Sequence, residues 1–131
     1  MSKHIPMIVL AALLAGWSSI PAKADLWQDE KHCAATAASG ATPDSVLTAC
    51  TAVIEDGTGG PAVLAGAYYN RGNAHYDKKE FALAIADYDH AILLKPNYPT
   101  ALFNRGLAKL RSSDKAGGDA DIAASKAMKG D

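Results

Sequence analysis

The residues of this chain that could carry acid–base or metal chemistry are its histidines and one acidic cluster. Asp87-Tyr88-Asp89-His90 brings two carboxylates and an imidazole together, and His32 and His75 stand elsewhere. On a helix, Asp87 and His90 share a face while Asp89 points away, so the cluster does not converge on one point. No His-x-x-x-His pair occurs, and Gly57-Thr58-Gly59-Gly60 lacks the Lys-Ser/Thr ending of a phosphate loop. His75 reads as a packed helix residue. The pattern argues against an enzyme, and it gives no reason to expect a catalytic residue, a metal or a cofactor.

Cys33 and Cys50 are the other reactive pair. Their spacing is neither Cys-x-x-Cys nor Cys-x-x-Cys-His, so thiol redox catalysis and covalent haem are not indicated, and only His32 is near enough in sequence to join a metal set. The compartment decides how they are read. Lys3 and His4 open the chain, Ile5 to Ala15 is an almost unbroken apolar run, and Ala22-Lys23-Ala24 has the small-x-small form of a cleavage site. These features predict a signal peptide over 1–24, cleaved after Ala24, and a periplasmic or secreted product starting at Asp25. The apolar run is short for a membrane span, and none follows it, so stable membrane insertion is not expected after cleavage. An even cysteine count in a small exported domain points to a Cys33–Cys50 disulfide, with two free buried thiols as the alternative. Lys3 and Lys23 leave with the signal, so thirteen basic residues become eleven against fourteen acidic ones, a formal charge of −3. That balance speaks against a nucleic-acid partner.

The elements around these residues are organised by a repeat. Tyr68-Tyr69-Asn70-Arg71-Gly72-Asn73-Ala74 returns as Leu102-Phe103-Asn104-Arg105-Gly106-Leu107-Ala108, an offset of 34. Ala84, Tyr88 and Ala91 follow helical i, i+4, i+7 spacing. Asp77-Lys78-Lys79-Glu80 is a polar turn, and Pro96 halts the helix before it. The punctuation predicts helices near 26–38, 44–55, 61–77, 80–94, 98–111 and 115–128, with Asp44 and Asp114 as N-caps. No strand pattern is present. Gly72 and Gly106 allow close helix crossings. The aliphatic stems of Arg71 and Arg105 can pack there while their heads reach an acidic partner, Asp87 or Asp89 for Arg71.

A 34-residue period with an aromatic at Tyr68, Gly72, His75, Ala84, Tyr88 and Pro96 resembles the tetratricopeptide repeat (TPR) family. The resemblance is strong over 65–98 and fair over 99–131, where Leu102, Gly106, Lys109, Gly118 and Ile122 occupy the defining positions. Arg71 stands where the pattern has leucine, and His75 where it has tyrosine. Val46 to Ile54 can be laid over Ala84 to Ile92 at an offset of 38, with Cys50 on Tyr88. This arrangement resembles small exported bacterial TPR proteins with two N-terminal cysteines. The resemblance implies an all-α fold: a right-handed helix-turn-helix solenoid of two TPR units, 61–98 and 99–131, preceded by a degenerate helical pair over 25–60. Cys33 would lie on the preceding helix and face Cys50.

The family's first helices line a concave face. The resemblance therefore implies a peptide-binding surface made of Tyr69, Asn70, Asn73, Tyr76, Asp77, Phe103, Asn104, Leu107 and Arg111, with Leu110 beside them. Asparagine amides both donate and accept, which suits the backbone of an extended peptide. A clamp for a C-terminal carboxylate is not expected, since Arg111 is the one cation placed to serve it. The implied function is non-catalytic binding of a protein or peptide partner. The alternative is a structural, self-assembling subunit without a free groove. Ile122, Ala123, Ala124, Ala127 and Met128 form a small apolar strip, which leads us to expect a weak homodimer through 115–128.

Overall fold

The computed structural model describes residues 23–35 and 37–130. The targeting segment expected over 1–24 lies, apart from Lys23 and Ala24, outside the described residues. The described chain is six α-helices and one short 3-10 turn: α1 (Lys23–Cys33), the turn (Ala37–Ser39), α2 (Pro43–Asp56), α3 (Gly60–Asp77), α4 (Phe81–Leu94), α5 (Pro99–Arg111) and α6 (Lys115–Lys129). Each helix packs chiefly on the next one in sequence, with weaker α1–α3 and α3–α5 contacts. That pattern is the solenoid expected from the repeat.

Punctuation explains most boundaries. Pro43, Pro61 and Pro99 sit in the first turns of α2, α3 and α5, where a missing N–H removes no helical bond. Asp114 caps α6 by accepting from the Gly117 N–H at 3.0 Å, as expected. Asp44 does not cap α2. Because Pro43 already occupies the first helical position, the cap falls on Thr42, whose hydroxyl accepts from the Ser45 N–H while the Thr42 N–H donates to Ser45 Oγ. Asp44 is left free to form an ion pair with Lys78 of the turn between α3 and α4. Helix α1 ends at Cys33, short of the expected 38. After it Ala34 turns, and Gly40 takes a φ of 84° before α2 begins.

The internal register is visible atom by atom. In the α3–α4 turn, Lys79 has φ 62° and the Glu80 N–H donates to the His75 carbonyl at 2.9 Å. In the α5–α6 turn, Ser113 has φ 73° and the Asp114 N–H donates to the Lys109 carbonyl at 2.9 Å. The same 34-residue step carries Arg71 to Arg105 and Asp87 to Asp121.

The core is built from small residues, which lets helix axes approach. Ala49, Ala67, Ala74, Ala84, Ala91, Ala101 and Ala108 are buried, with Val46, Val53 and Leu102 among them. Tyr88 is the largest fully buried side chain. Its ring lies over Gly72, where an added Cβ would come within 2.8 Å of it. One repeat later the neighbour is partly backbone: a Cβ on Gly106 would meet the Gly118 carbonyl oxygen at 2.9 Å and Ile122 at 2.9 Å. Ile122 thus occupies the Tyr88 position but is half-buried, and the buried residues of α6 are Gly118, Asp121 and Ser125.

Cys33 and Cys50 form a disulfide that ties the end of α1 to the middle of α2. Closing a loop of this size stabilises a fold by about 3 kcal/mol in the chain-entropy picture. At the offset of 38, Cys33 takes the register of Arg71, and Cys50 that of Tyr88. The disulfide thus starts at the arginine's register in the first helical pair but ends one residue beyond that of Asp87, whose counterpart is Ala49. The arginine clasps of the later two pairs are bidentate. Arg71 donates to Asp87 at 2.9 and 2.8 Å and to Thr51 at 3.2 Å. Arg105 donates to Asp121 at 2.7 and 2.8 Å and to Asp89 at 2.7 Å. Thr51 and Asp89 are themselves equivalent at the 38-residue offset, so each arginine joins its own helix pair to the second helix of the pair before.

Candidate peptide groove

The polar residues of α3 and α5 meet over Tyr88. Burial pushes its phenol pKa well above the ordinary value, so Tyr88 stays protonated and donates. Its hydroxyl donates to Asn73 Oδ1 at 2.7 Å. The same oxygen accepts from Asn104 Nδ2 at 2.9 Å, and Asn104 Nδ2 also donates to the Tyr69 hydroxyl at 3.2 Å. These bonds use the Asn73 oxygen and the Asn104 nitrogen. They leave Asn73 Nδ2 as a donor and Asn104 Oδ1 as an acceptor, with no further bond among the described residues. Asn70, one turn before Asn73, makes no side-chain bond among those residues and stands in register with Asn104.

These side chains border a groove of about 420 Å³. Asn70, Asn73, Ala74, Tyr76 and Asp77 from α3 and Asn104 and Leu107 from α5 line it, with Tyr88 at its floor. The opposite wall comes from the connection between α1 and α2 and the start of α2: Ala35, Ala41, Thr42, Pro43 and Val46. A smaller recess of about 160 Å³ lies beside it, between α1 and α3, and shares Asn70.

The structure thus brings together six of the nine residues expected at a binding face: Asn70, Asn73, Tyr76, Asp77, Asn104 and Leu107. The other three lie outside the groove lining. Tyr69 is an inter-repeat wedge, with ring centroids 5.0 Å from Tyr98 and 6.1 Å from Tyr88. Phe103 is half-buried with Lys129 Nζ 6.0 Å from its ring centroid. Arg111 is exposed at the end of α5. Leu110, named beside these residues, turns towards α6, since a Cβ on Gly118 would meet its side chain at 2.7 Å. Sequence reasoning missed the wall at Ala35 to Val46, because the first helical pair diverges in length and composition from the repeats. Tyr88 could be read as core, and it is core; that its hydroxyl orders the groove amides follows only from the fold.

The acid–base cluster is occupied structurally. Asp87 is held by Arg71, Asp89 pairs with Arg105, and His90 stacks on Tyr68 with ring centroids 4.8 Å apart. His75 Nδ1 lies 2.6 Å from Glu80. Among the described residues, no group of three or more His, Cys, Asp and Glu could hold a metal ion, and no helix is long and apolar enough to cross a membrane.

No curated protein and no solved structure matches the chain. Residues 72–112, from Gly72 in α3 through all of α4 to the end of α5, match the family model of the TPR repeat, and over that span the chain is similar to the helical modules that mediate protein–protein interaction.

Proposed function

We propose that this chain is a non-catalytic TPR module that binds an extended segment of a partner protein in the groove between α3, α5 and the α1–α2 connection. We also propose that it works in the bacterial periplasm or outside the cell, after cleavage following Ala24. The observation that carries the binding reading is the groove polar set. Tyr88 and Tyr69 fix the Asn73 and Asn104 amides so that one offers a donor and the other an acceptor. A peptide backbone needs that pairing, and a preorganised site binds with less ordering cost. The disulfide supports the compartment reading, since such bonds persist in oxidising surroundings.

The self-assembling alternative draws on α6, where Ala123, Ala124 and Ala127 are exposed and Met128 is 47% exposed. Sedimentation of the chain from Asp25 onwards, across a wide concentration range, separates the two. A mass that rises with concentration and falls back in Met128→Glu favours assembly through 115–128. A groove reading expects a partner that co-purifies from envelope extract and is lost in Leu107→Glu, with the sedimentation unchanged.

A further inference from the structure

The charge of the groove specifies the partner segment further than its shape does. Asp77 is the one charged side chain among the described residues that line it. It is exposed and makes no hydrogen bond or ion pair among those residues. Four cations of α3, α5 and the turn between α3 and α4 are committed to other carboxylates. Lys78 pairs with Asp44, Lys109 with Asp121 at 2.9 Å, Arg71 with Asp87, and Arg105 with Asp89 and Asp121. Lys79 and Arg111 are exposed outside the lining. Asp77 is also the last residue of α3. The aligned peptide dipoles of α3 point their negative end there, which adds to the carboxylate. Behind this end the groove is apolar, with Ala41, Pro43, Val46, Ala74 and Leu107 around the amides.

We infer that the groove takes an internal, extended segment of a partner polypeptide, apolar along its length and carrying a lysine or arginine at the Asp77 end, and that it rejects acidic segments and free C-terminal carboxylates. This rests on the peptide-binding reading of the same groove. The apolar side chains sit against Val46 and Leu107, the backbone pairs with the Asn73 donor and the Asn104 acceptor, and the cation meets Asp77 at the rim.

The test uses four fluorescein-labelled hexapeptides of alanine, valine and leucine. Three are blocked at both ends and carry one central lysine, glutamine or glutamate; the fourth is the glutamine peptide with a free C-terminal carboxylate. Each is titrated against the disulfide-bonded chain from Asp25 onwards by fluorescence anisotropy. The lysine peptide should bind about fivefold tighter than the glutamine peptide, as one partly screened ion pair allows. The glutamate and free-carboxylate peptides should bind more weakly than glutamine. The lysine advantage should shrink in 1 M salt, where the screening length falls to about 3 Å. Asp77→Asn should bring the lysine-to-glutamine ratio to one. Equal binding of lysine and glutamine peptides, a preference for glutamate, or a lysine advantage that survives in Asp77→Asn overturns the charge inference while leaving the groove reading intact. No binding by any of the four at millimolar concentration contradicts the groove reading itself, and the inference with it.

Discussion

Arg105 grips Asp121 through two parallel hydrogen bonds of 2.7 and 2.8 Å, and Lys109 reaches the same carboxylate at 2.9 Å. Burial pushes the Asp121 carboxyl up, but the bonds from Arg105 and Lys109 outweigh it and hold it below the usual carboxylate range. A carboxylate with a lowered folded pKa stabilises the fold above its unfolded pKa, about 3.9, and that contribution disappears as pH falls through the lower folded value. The wild type should therefore lose this part of its stability only below about pH 4. Asp121→Asn should lose it at pH 7, by about 1–3 kcal/mol, since Lys109 loses its carboxylate and Arg105 keeps only the exposed Asp89. Urea unfolding at pH 7 and pH 3 checks this: the gap between wild type and variant should narrow at the lower pH. A gap that widens would contradict the assignment.

Gly106 faces backbone, whereas Gly72 faces a ring. A methyl on Gly106 meets the Gly118 carbonyl oxygen, which cannot swing aside. Overpacking of this kind costs about 1–3 kcal/mol, against a gain of about 1 kcal/mol in helix propensity over glycine. Gly106→Ala should lower the melting temperature by several degrees, on the scale of about 4–8 °C per kcal/mol for a domain of this size. Gly72→Ala should cost less, because the Tyr88 ring can shift. Differential scanning calorimetry of the two variants decides the order.

Two of the three asparagines expected to bind peptide, Asn73 and Asn70, differ in what they also hold together. Asn73 accepts the bond of a phenol that is 1% exposed. Asn73→Ala leaves that hydroxyl without its partner and should cost about 1–3 kcal/mol. Asn70 has no such bond, so Asn70→Ala should stay within about 0.5 kcal/mol of wild type. Chemical denaturation of both variants checks the contrast, and Asn70→Ala is the cleaner probe of binding.

The fold was readable because repetition is local and periodic. The Asn-Arg-Gly step of 34 placed α3 to α6, Gly72 and Gly106 marked the crossings, and Pro96 ended α4 after Leu94. The Arg71–Asp87 pair could be named as one of two choices from helix spacing. What the spacing could not show was that Asp89 serves the next repeat's arginine, because that contact depends on how successive units stack. The groove was half legible. The α3 and α5 faces follow from register, but the wall from Ala35 to Val46 depends on a connection whose path no period predicts. The Asp44 cap failed for a simple reason: Pro43 moves the helix start one residue earlier, and Thr42 and Ser45 complete a capping box there.

The disulfide holds that wall. Replacing both Cys33 and Cys50 by alanine should lower stability by about 3 kcal/mol. Loss should begin at the N-terminal end of the stack. Hydrogen exchange should speed up first in α1 and in residues 41–46, with α3 and α4 protected longest. Uniform acceleration across all six helices would show instead that the first helical pair does not act as a separable cap.

The claim that the groove is the binding surface is tested most directly by site-specific photo-cross-linking in the expressing cell. A benzophenone amino acid in place of Leu107 would sit inside the groove. The same group in place of Leu93, which is 78% exposed on α4, would sit outside the groove lining. The account predicts one discrete cross-linked polypeptide from position 107, none from position 93, and loss of the product when Asn70 is also changed to Glu. Cross-links that form from position 93 and not from 107 would contradict it.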